Sequence, residues 1–231
     1  MNTAIILSGG IGTRMGADRP KQYIEVNGAP IIVYCLKAFL STARIDAFII
    51  GAAEEWRDYI NSFIQKENAT TPFYYSEPGE TRQYSIYNAL KKAKEIGIRN
   101  NDVVIIHDAA RPLVSKELIE RCIDGCNTSD AVLPIIPVKD TIYLSNDGKN
   151  IKSLLDRSQL YCGQAPEAFR LGPYLKVHDE MPREELLKIN GSTEIAYKAG
   201  LCCQMVEGDP MNFKITTPED LINFRNIIKS E

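Results

Sequence analysis

A cluster of glycines, an arginine and a lysine stand close together near the start of the chain. The stretch reads SGGIGTRMG over residues 8–16, and RPKQY follows at 19–23. Gly9, Gly10 and Gly12 let backbone N–H groups approach phosphate oxygens closely. Arg14 adds a fork of donors and Lys21 a compact charge. The combination suits a loop that wraps an anionic ligand. It fits neither common phosphate loop. A dinucleotide site wants a third glycine where Met15 stands, and an acid about 20 residues on. A P-loop wants Gly-Lys-Ser/Thr in tandem, which this loop lacks. Three further residues carry charge in two motifs worth noting. Asp108 and Arg111 lie in HDAARP (107–112), just past the apolar run VVII, and Lys214 lies in NFKIT (212–216). A carboxylate such as Asp108 suits a hard divalent cation shared with phosphates, or a ribose hydroxyl. Asp209 is a second candidate ligand.

Elements that alternate along the chain must position these residues. Strand-like runs are expected at 3–7, 47–52, 73–76, 102–107 and 131–138, the last broken by prolines and so either irregular or near a sheet edge. Helices are expected at 30–41 with Pro30 first, at 54–66, at 81–97 and at 115–126 with Ser115 as cap, and a last one opens at TTPEDL. Strand and helix at this spacing predict an α/β fold with a mostly parallel sheet. The glycine loop and HDAARP both follow strands, so both would face one crevice at the strands' carboxyl ends. Residues 138–161 break the rhythm. They read as strands at about 141–144 and 150–155 around an Asp-Gly turn, an inserted hairpin that either decorates the surface or grips a second subunit. The simplest division is one domain, 1–231, with that arm inserted.

Composition narrows the partners. The 231 residues are 44% hydrophobic and 25% charged, with net charge −3, ordinary for a globular fold. No basic excess points to nucleic acid or an anionic membrane, and no run approaches the roughly 20 apolar residues of a membrane span. Without a basic leader, a cytoplasmic protein is expected. The six cysteines form no CxxC pair, so reduced and mostly buried thiols are expected rather than a zinc site.

Taken in order, the motifs carry a resemblance. LSGGIGTRMG with RPKQY, GETRQYS (79–85), HDAARP, VKDT (138–141), LDR (155–157), QAPEAF (164–169), STE (192–194) and NFKITTPEDL (212–221) look like the signature of sugar-nucleotide pyrophosphorylase-like nucleotidyltransferases. More narrowly, the chain resembles the cytidylyltransferases of small polyol phosphates, nearly end to end. The resemblance implies a three-layer Rossmann-like fold, a reaction joining CTP to an alcohol phosphate with loss of pyrophosphate, Mg²⁺ or another divalent cation, and a homodimer made by the 138–161 arm. It puts Arg14, Lys21 and Lys214 around the triphosphate as the catalytic cations. It lines the nucleotide with Leu7, Ser8, Gly9, Gly10, Gly12, Thr13, Gly79, Glu80, Arg82, Ser85, Asp108 and Ala109, with Arg82 tying its loop together. Arg111 would bind the acceptor's phosphate or hold its loop. Thr141, Arg157, Gln164, Ala165, Thr193 and Glu194 would face the acceptor.

An acceptor phosphate monoester carries about −1.5 to −2 charge at pH 7. It needs no general base, which agrees with a chain holding only His107 and His178 and no Ser/His/Asp arrangement. Alignment and positive charge are what such a site must supply. Two departures bear on the acceptor. Ala165 stands where the methylerythritol phosphate branch has a threonine, losing a hydrogen bond worth about 0.5–1.5 kcal/mol, for which Gln164 or Ser158 would compensate. Glu194 stands where an aspartate is usual. With the loop GGxGTRMG and the stretches NGAPIIVY, EEW and LYCGQAP, these lean toward the ribitol 5-phosphate branch, whereas HDAARP leans toward methylerythritol 4-phosphate. A non-catalytic nucleotide-binding regulatory protein is the alternative of another class.

Overall fold

The computed structural model describes residues 1–10 and 19–230. Gly12, Thr13 and Arg14 lie outside the described residues. The strands are β1 (Asn2–Leu7), β2 (Glu25–Val26), β3 (Ala29–Pro30), β4 (Ala47–Gly51), β5 (Phe73–Ser76), β6 (Val103–Asp108), β7 (Ala131–Pro137), β8 (Tyr143–Leu144), β9 (Ser153–Leu154), β10 (Tyr161–Gly163), β11 (Glu167–Arg170) and β12 (Cys203–Glu207). The helices are α1 (Ile31–Leu40), α2 (Glu54–Ile64), α3 (Arg82–Glu95), α4 (Lys116–Gly125), α5 (Leu171–Glu180), α6 (Arg183–Leu186), α7 (Ser192–Lys198) and α8 (Pro218–Ser230).

The central sheet runs β10-β7-β11-β6-β1-β4-β5, with β12 paired to β7. β6, β1, β4 and β5 are parallel, as the apolar runs predict. Alternate residues of these runs point to opposite faces. Ala4 and Ile6 pack beneath α1, α2 and α4, whereas Ile5 packs beneath α3, α5 and α7. Both faces are covered, which makes three layers. A smaller cluster of Val26, Ile31, Ile215, Leu221 and Phe224 holds α8.

Several expectations are corrected. Pro30 is the N-cap residue of α1 and not its first turn, because it also ends the short β2–β3 hairpin. β7 lies one strand in from the edge strand β12, so the near-edge reading holds although it is not itself an edge strand. It is flanked by β12 on one side and by β10 and β11 on the other. Its prolines are tolerated because Pro137 ends the strand and Pro134 still accepts a bond from Gln164 N at 2.8 Å. The inserted arm pairs over only two residues per strand, Tyr143 with Leu154 and Leu144 with Ser153. Of the cysteines, Cys35, Cys122 and Cys126 are buried, Cys162 and Cys202 are exposed, and all six are free. Among the described residues no helix is long and apolar enough to cross a membrane.

Both histidines are buried, and this dictates an acid response. His107 Nε2 donates to Arg111 O at 2.9 Å, and His178 Nδ1 donates to Tyr174 O at 2.8 Å. Burial pushes each imidazole down to about 4. The unfolded chain takes up these protons below the ordinary value near 6.5 while the folded chain does not. Stability is therefore expected to hold above about pH 6.5 and to fall toward pH 4, by up to about 1.4 kcal/mol per pH unit for each histidine. Denaturant midpoints measured between pH 7 and 4 check this; a flat profile there would contradict it.

Candidate active site

Register places the loops. Leu7 pairs with Asp108 on one side and with Gly51 on the other. The glycine loop, the HDAARP turn and the loop after β5 thus leave the sheet side by side, at the carboxyl ends of parallel strands. β11 runs antiparallel to β6 with Glu167 opposite Ile106, so its leading segment, Gln164–Pro166, arrives at the same end.

The glycine loop is pinned from below. Gln22 donates to Ser8 O at 2.6 Å and to Gly10 O at 2.8 Å, and the Ser8 hydroxyl donates to Tyr23 Oη at 2.8 Å. Tyr23 stacks on Trp56 with ring centroids 4.2 Å apart. Lys21 opens the 3-10 turn that carries Gln22 and Tyr23. A Cβ at Gly9 would overlap Pro78, whereas one at Gly10 would meet nothing within 4 Å. Gly9 is required by packing, whereas Gly10 meets no such contact among the described residues.

Across the crevice, Gly79 N donates to Ser85 Oγ at 2.9 Å, and Ser85 Oγ donates to Thr81 O at 3.0 Å. Thr81 caps α3 by accepting from Tyr84 N. A Cβ at Gly79 would overlap Tyr84 and lie 2.7 Å from Ser85 N. Gly79→Ala is therefore expected to displace this loop and raise the KM for nucleotide by roughly tenfold or more with little change in far-UV circular dichroism; an unchanged KM would remove the loop from the site. Glu80 pairs with Arg183, and Arg57 with Glu77.

Three cations converge on Asp108, the last residue of β6. Arg82 Nε lies 3.0 Å from Oδ1, Lys214 Nζ 2.9 Å from Oδ2 and Arg111 Nε 3.6 Å from Oδ2. Burial alone would raise this carboxyl; Arg82, then Lys214 and Arg111, outweigh it and hold it well below the usual carboxylate range. Burial lowers Arg111, with Asp108 opposing the shift. Arg111 also donates to Asn212 O at 2.8 Å, and Ile215 N donates to Ala110 O at 2.8 Å. These bonds stitch the Asn212–Ile215 segment to the HDAARP turn and bring Lys214 in. The arrangement concentrates positive charge where two phosphorylated ligands could meet.

A family model described as IspD, 2-C-methyl-D-erythritol 4-phosphate cytidylyltransferase, matches residues 2–230. The chain belongs to the IspD family. It is 33% identical over 226 residues to a ribitol-5-phosphate cytidylyltransferase of Streptococcus agalactiae serotype V, covering 97% of this chain and 94% of that one. It is 35% identical over 230 residues to a 2-C-methyl-D-erythritol 4-phosphate cytidylyltransferase of Clostridium beijerinckii, covering 100% and 99%. Among solved structures, the 2-C-methyl-D-erythritol 4-phosphate cytidylyltransferase of Francisella tularensis superposes with a TM-score of 0.79 at 28% identity, covering 97% and 99%. As an IspD-family protein, this chain is an enzyme, a CTP-dependent cytidylyltransferase whose second substrate is a phosphorylated sugar alcohol.

In this IspD-family chain the remaining candidates fall into two groups. Ala109, whose N–H donates to Leu7 O at 3.0 Å, and Gln164, Ala165 and Thr193 stand close to the cluster. Gln164 clasps the Asp209 backbone through both ends of its amide, at 2.8 and 3.0 Å, and Ala165 O accepts from Asn212 at 2.6 Å. Thr141 and Arg157 lie on the exposed arm, where Arg157 donates to Lys139 O at 2.7 Å. Glu194 spends its carboxylate locally, on Asn190 N, Gly191 N and Lys198, at the start of α7. Asp209 accepts from Met211 N at 2.8 Å. Sequence reasoning missed Glu167 and Asn212, both buried. Each stood inside a quoted motif, and a carboxylate or amide in an otherwise apolar strand or turn was the signal.

Proposed function

We propose that this enzyme transfers the cytidylyl group of CTP to a small alditol phosphate, with ribitol 5-phosphate as the acceptor. An acceptor phosphate oxygen attacks the α-phosphorus. The bond to the bridging oxygen breaks, and pyrophosphate leaves with the electron pair. The acceptor is already an anion, so the protein moves no proton. Lys214 lies at the edge of the Asp108 cluster, poised to meet charge as it spreads over the α-phosphoryl oxygens, and Lys21 and Arg14 serve the triphosphate. Arg111 grips the acceptor's phosphate while Asp108 keeps the three cations apart and aligned. The single observation that carries the reading is this convergence of Arg82, Arg111 and Lys214 on Asp108, beside the glycine loop. Kinship with ribitol-5-phosphate relatives and Ala165, a methyl in place of a phosphate-binding hydroxyl, support the acceptor. Methylerythritol 4-phosphate is the second reading, supported by relatives of equal similarity.

The donor set fits a divalent cation only as a companion of the phosphates. Both oxygens of Asp108 face cations, and no group of three His, Cys, Asp or Glu among the described residues could hold a metal. Phosphate oxygens would supply most of its ligands, Asp108 would join them only by giving up one of those pairs, and the ion would offset the charge of the triphosphate. Pyrophosphate release with CTP and Mg²⁺, comparing ribitol 5-phosphate, methylerythritol 4-phosphate and glycerol phosphate at equal concentration, tests the acceptor. Preference for methylerythritol 4-phosphate would overturn the first reading and establish the second.

A homodimer through the arm completes the proposal. Tyr143, Leu144, Ile151 and Leu154 are 40–69% exposed on the hairpin, an apolar surface that a second copy would cover. Leu144→Glu with Leu154→Glu is expected to give monomers in sedimentation and to lower activity, since Thr141 and Arg157 sit on the same arm. A wild-type protein that is monomeric and active at assay concentration would refute this.

A further inference from the structure

The cluster holds a second buried carboxylate that the transfer reaction does not use. Glu167 opens β11 and is 9% exposed. Its Oε2 accepts from Thr193 N at 2.9 Å and from the Thr193 hydroxyl at 2.5 Å. Its Oε1 lies 3.6 Å from Arg82 NH2. Arg82 gives Nε to Asp108 at 3.0 Å and NH1 to the Ser192 hydroxyl at 2.5 Å. Each nitrogen of its guanidinium therefore faces a protein partner, two of them carboxylates. Burial would lower Arg82; Asp108 and then Glu167 outweigh that and raise it, so it stays a fixed cation. α3 begins at Arg82 in the nucleotide-side loop. α7 begins at Ser192 and Thr193 in the STE motif. Glu167 touches both, from a strand paired to β6 and β7 within the sheet.

We propose that Glu167 is a positioning residue, which by holding Arg82 and Thr193 together fixes the distance between the nucleotide-side loop and the start of α7. Asp108 and Ser192 hold two nitrogens of Arg82; without Glu167 the third, Nη2, would be left to compete with Arg111 and Lys214 for the incoming phosphate. Glu167 removes that freedom. Only the kinetic part of its test rests on the cytidylyl-transfer reading.

The variants are Glu167→Gln, which keeps the shape and one oxygen for Thr193, and Glu167→Asp, which keeps the charge but is too short to span Arg82 and Thr193. In the free wild-type enzyme, the Arg82 Nη2–H protons, which face Glu167, should give a resolved, exchange-protected signal. Both variants should lose it to the averaged arginine envelope. In turnover, both should lower kcat/KM for the acceptor by roughly tenfold through lost alignment, with the KM for CTP within about twofold, which stays below the threshold for a lost contact. In an Arg82→Lys background, which lacks the fork, Glu167→Gln should add little. An Arg82 Nη2 signal that persists in either variant would overturn the proposal. So would additive losses in the double variant, or a lowered melting temperature with unchanged kcat/KM per folded molecule. Absence of turnover in wild type with every acceptor would instead strike the functional reading, and the free-enzyme spectrum would still decide the role of Glu167.

Discussion

Lys214→Ala is expected to lower kcat by about 10²- to 10³-fold, the cost of removing one preorganised charge from a developing oxyanion, while CTP affinity changes far less. The structure supplies the reason for the contrast. Lys214 Nζ sits 2.9 Å from Asp108 and remains about one-third exposed, with a side-chain exposure of 35%. It is held in place yet presented to the crevice. Its removal leaves Asp108 still paired with Arg82 and Arg111, so the fold should tolerate the change. Lys21→Ala should behave alike. CTP binding is readable in the same samples from Trp56, the chain's single tryptophan, which stacks on the Tyr23 ring that anchors Ser8. A variant with unchanged kcat and a raised KM for CTP would show that Lys214 serves binding alone.

Asp108→Asn should be the more damaging change to the folded state. It keeps the shape but leaves Arg82, Arg111 and Lys214 with Glu167 as the remaining carboxylate of the cluster. Breaking a buried charge cluster by removing one member costs about 3–5 kcal/mol. The pH dependence gives the sign. The folded Asp108 carboxyl is held well below its ordinary range, so its contribution is fully present above the unfolded value near 3.9 and is lost as pH falls from there through the folded value. The stability gap between wild type and variant should be constant above about pH 5 and narrow below pH 4. A gap that widens with acid, or none at pH 7, would contradict the role assigned to Asp108. Activity should fall as well, because three mutually repelling cations no longer share a fixed centre.

The parallel half of the molecule was legible in the sequence because buried parallel strands are continuous apolar runs. The runs at 47–52, 73–76 and 102–107 match β4, β5 and β6 within a residue, and Ser115 caps α4 as expected. The antiparallel half was not. β11, with the sequence EAFR, is too short for periodicity to show, and its place between β6 and β7 depends on pairing 36 or more residues away. The prolines of β7 mark it as near an edge, beside β12, but which of its backbone groups need partners follows only from the pairing. The β2–β3 hairpin did carry a local signal that went unread. Asn27-Gly28 turns with φ of 48° and 78°, the geometry that Asn-Gly favours. At the site, Asp108, Arg111 and Lys214 were picked by charge within motifs. That they meet at one carboxylate follows from strand register, which no local pattern contains. Glu194 illustrates the reverse. A carboxylate three residues into a helix is first of all a cap, and the structure uses it so.

The bonds that build the charge cluster span the chain. Arg82 reaches Asp108 across 26 positions and Ser192 across 110, and Arg111 reaches Asn212 across 101. Loops of this length close late and slowly in a folding chain. On dilution from denaturant, helical signal should return well before catalytic competence. A nascent chain emerging from the ribosome can bring Arg82 and Arg111 to Asp108 early, but it must expose the segment that carries Lys214 before the third cation arrives.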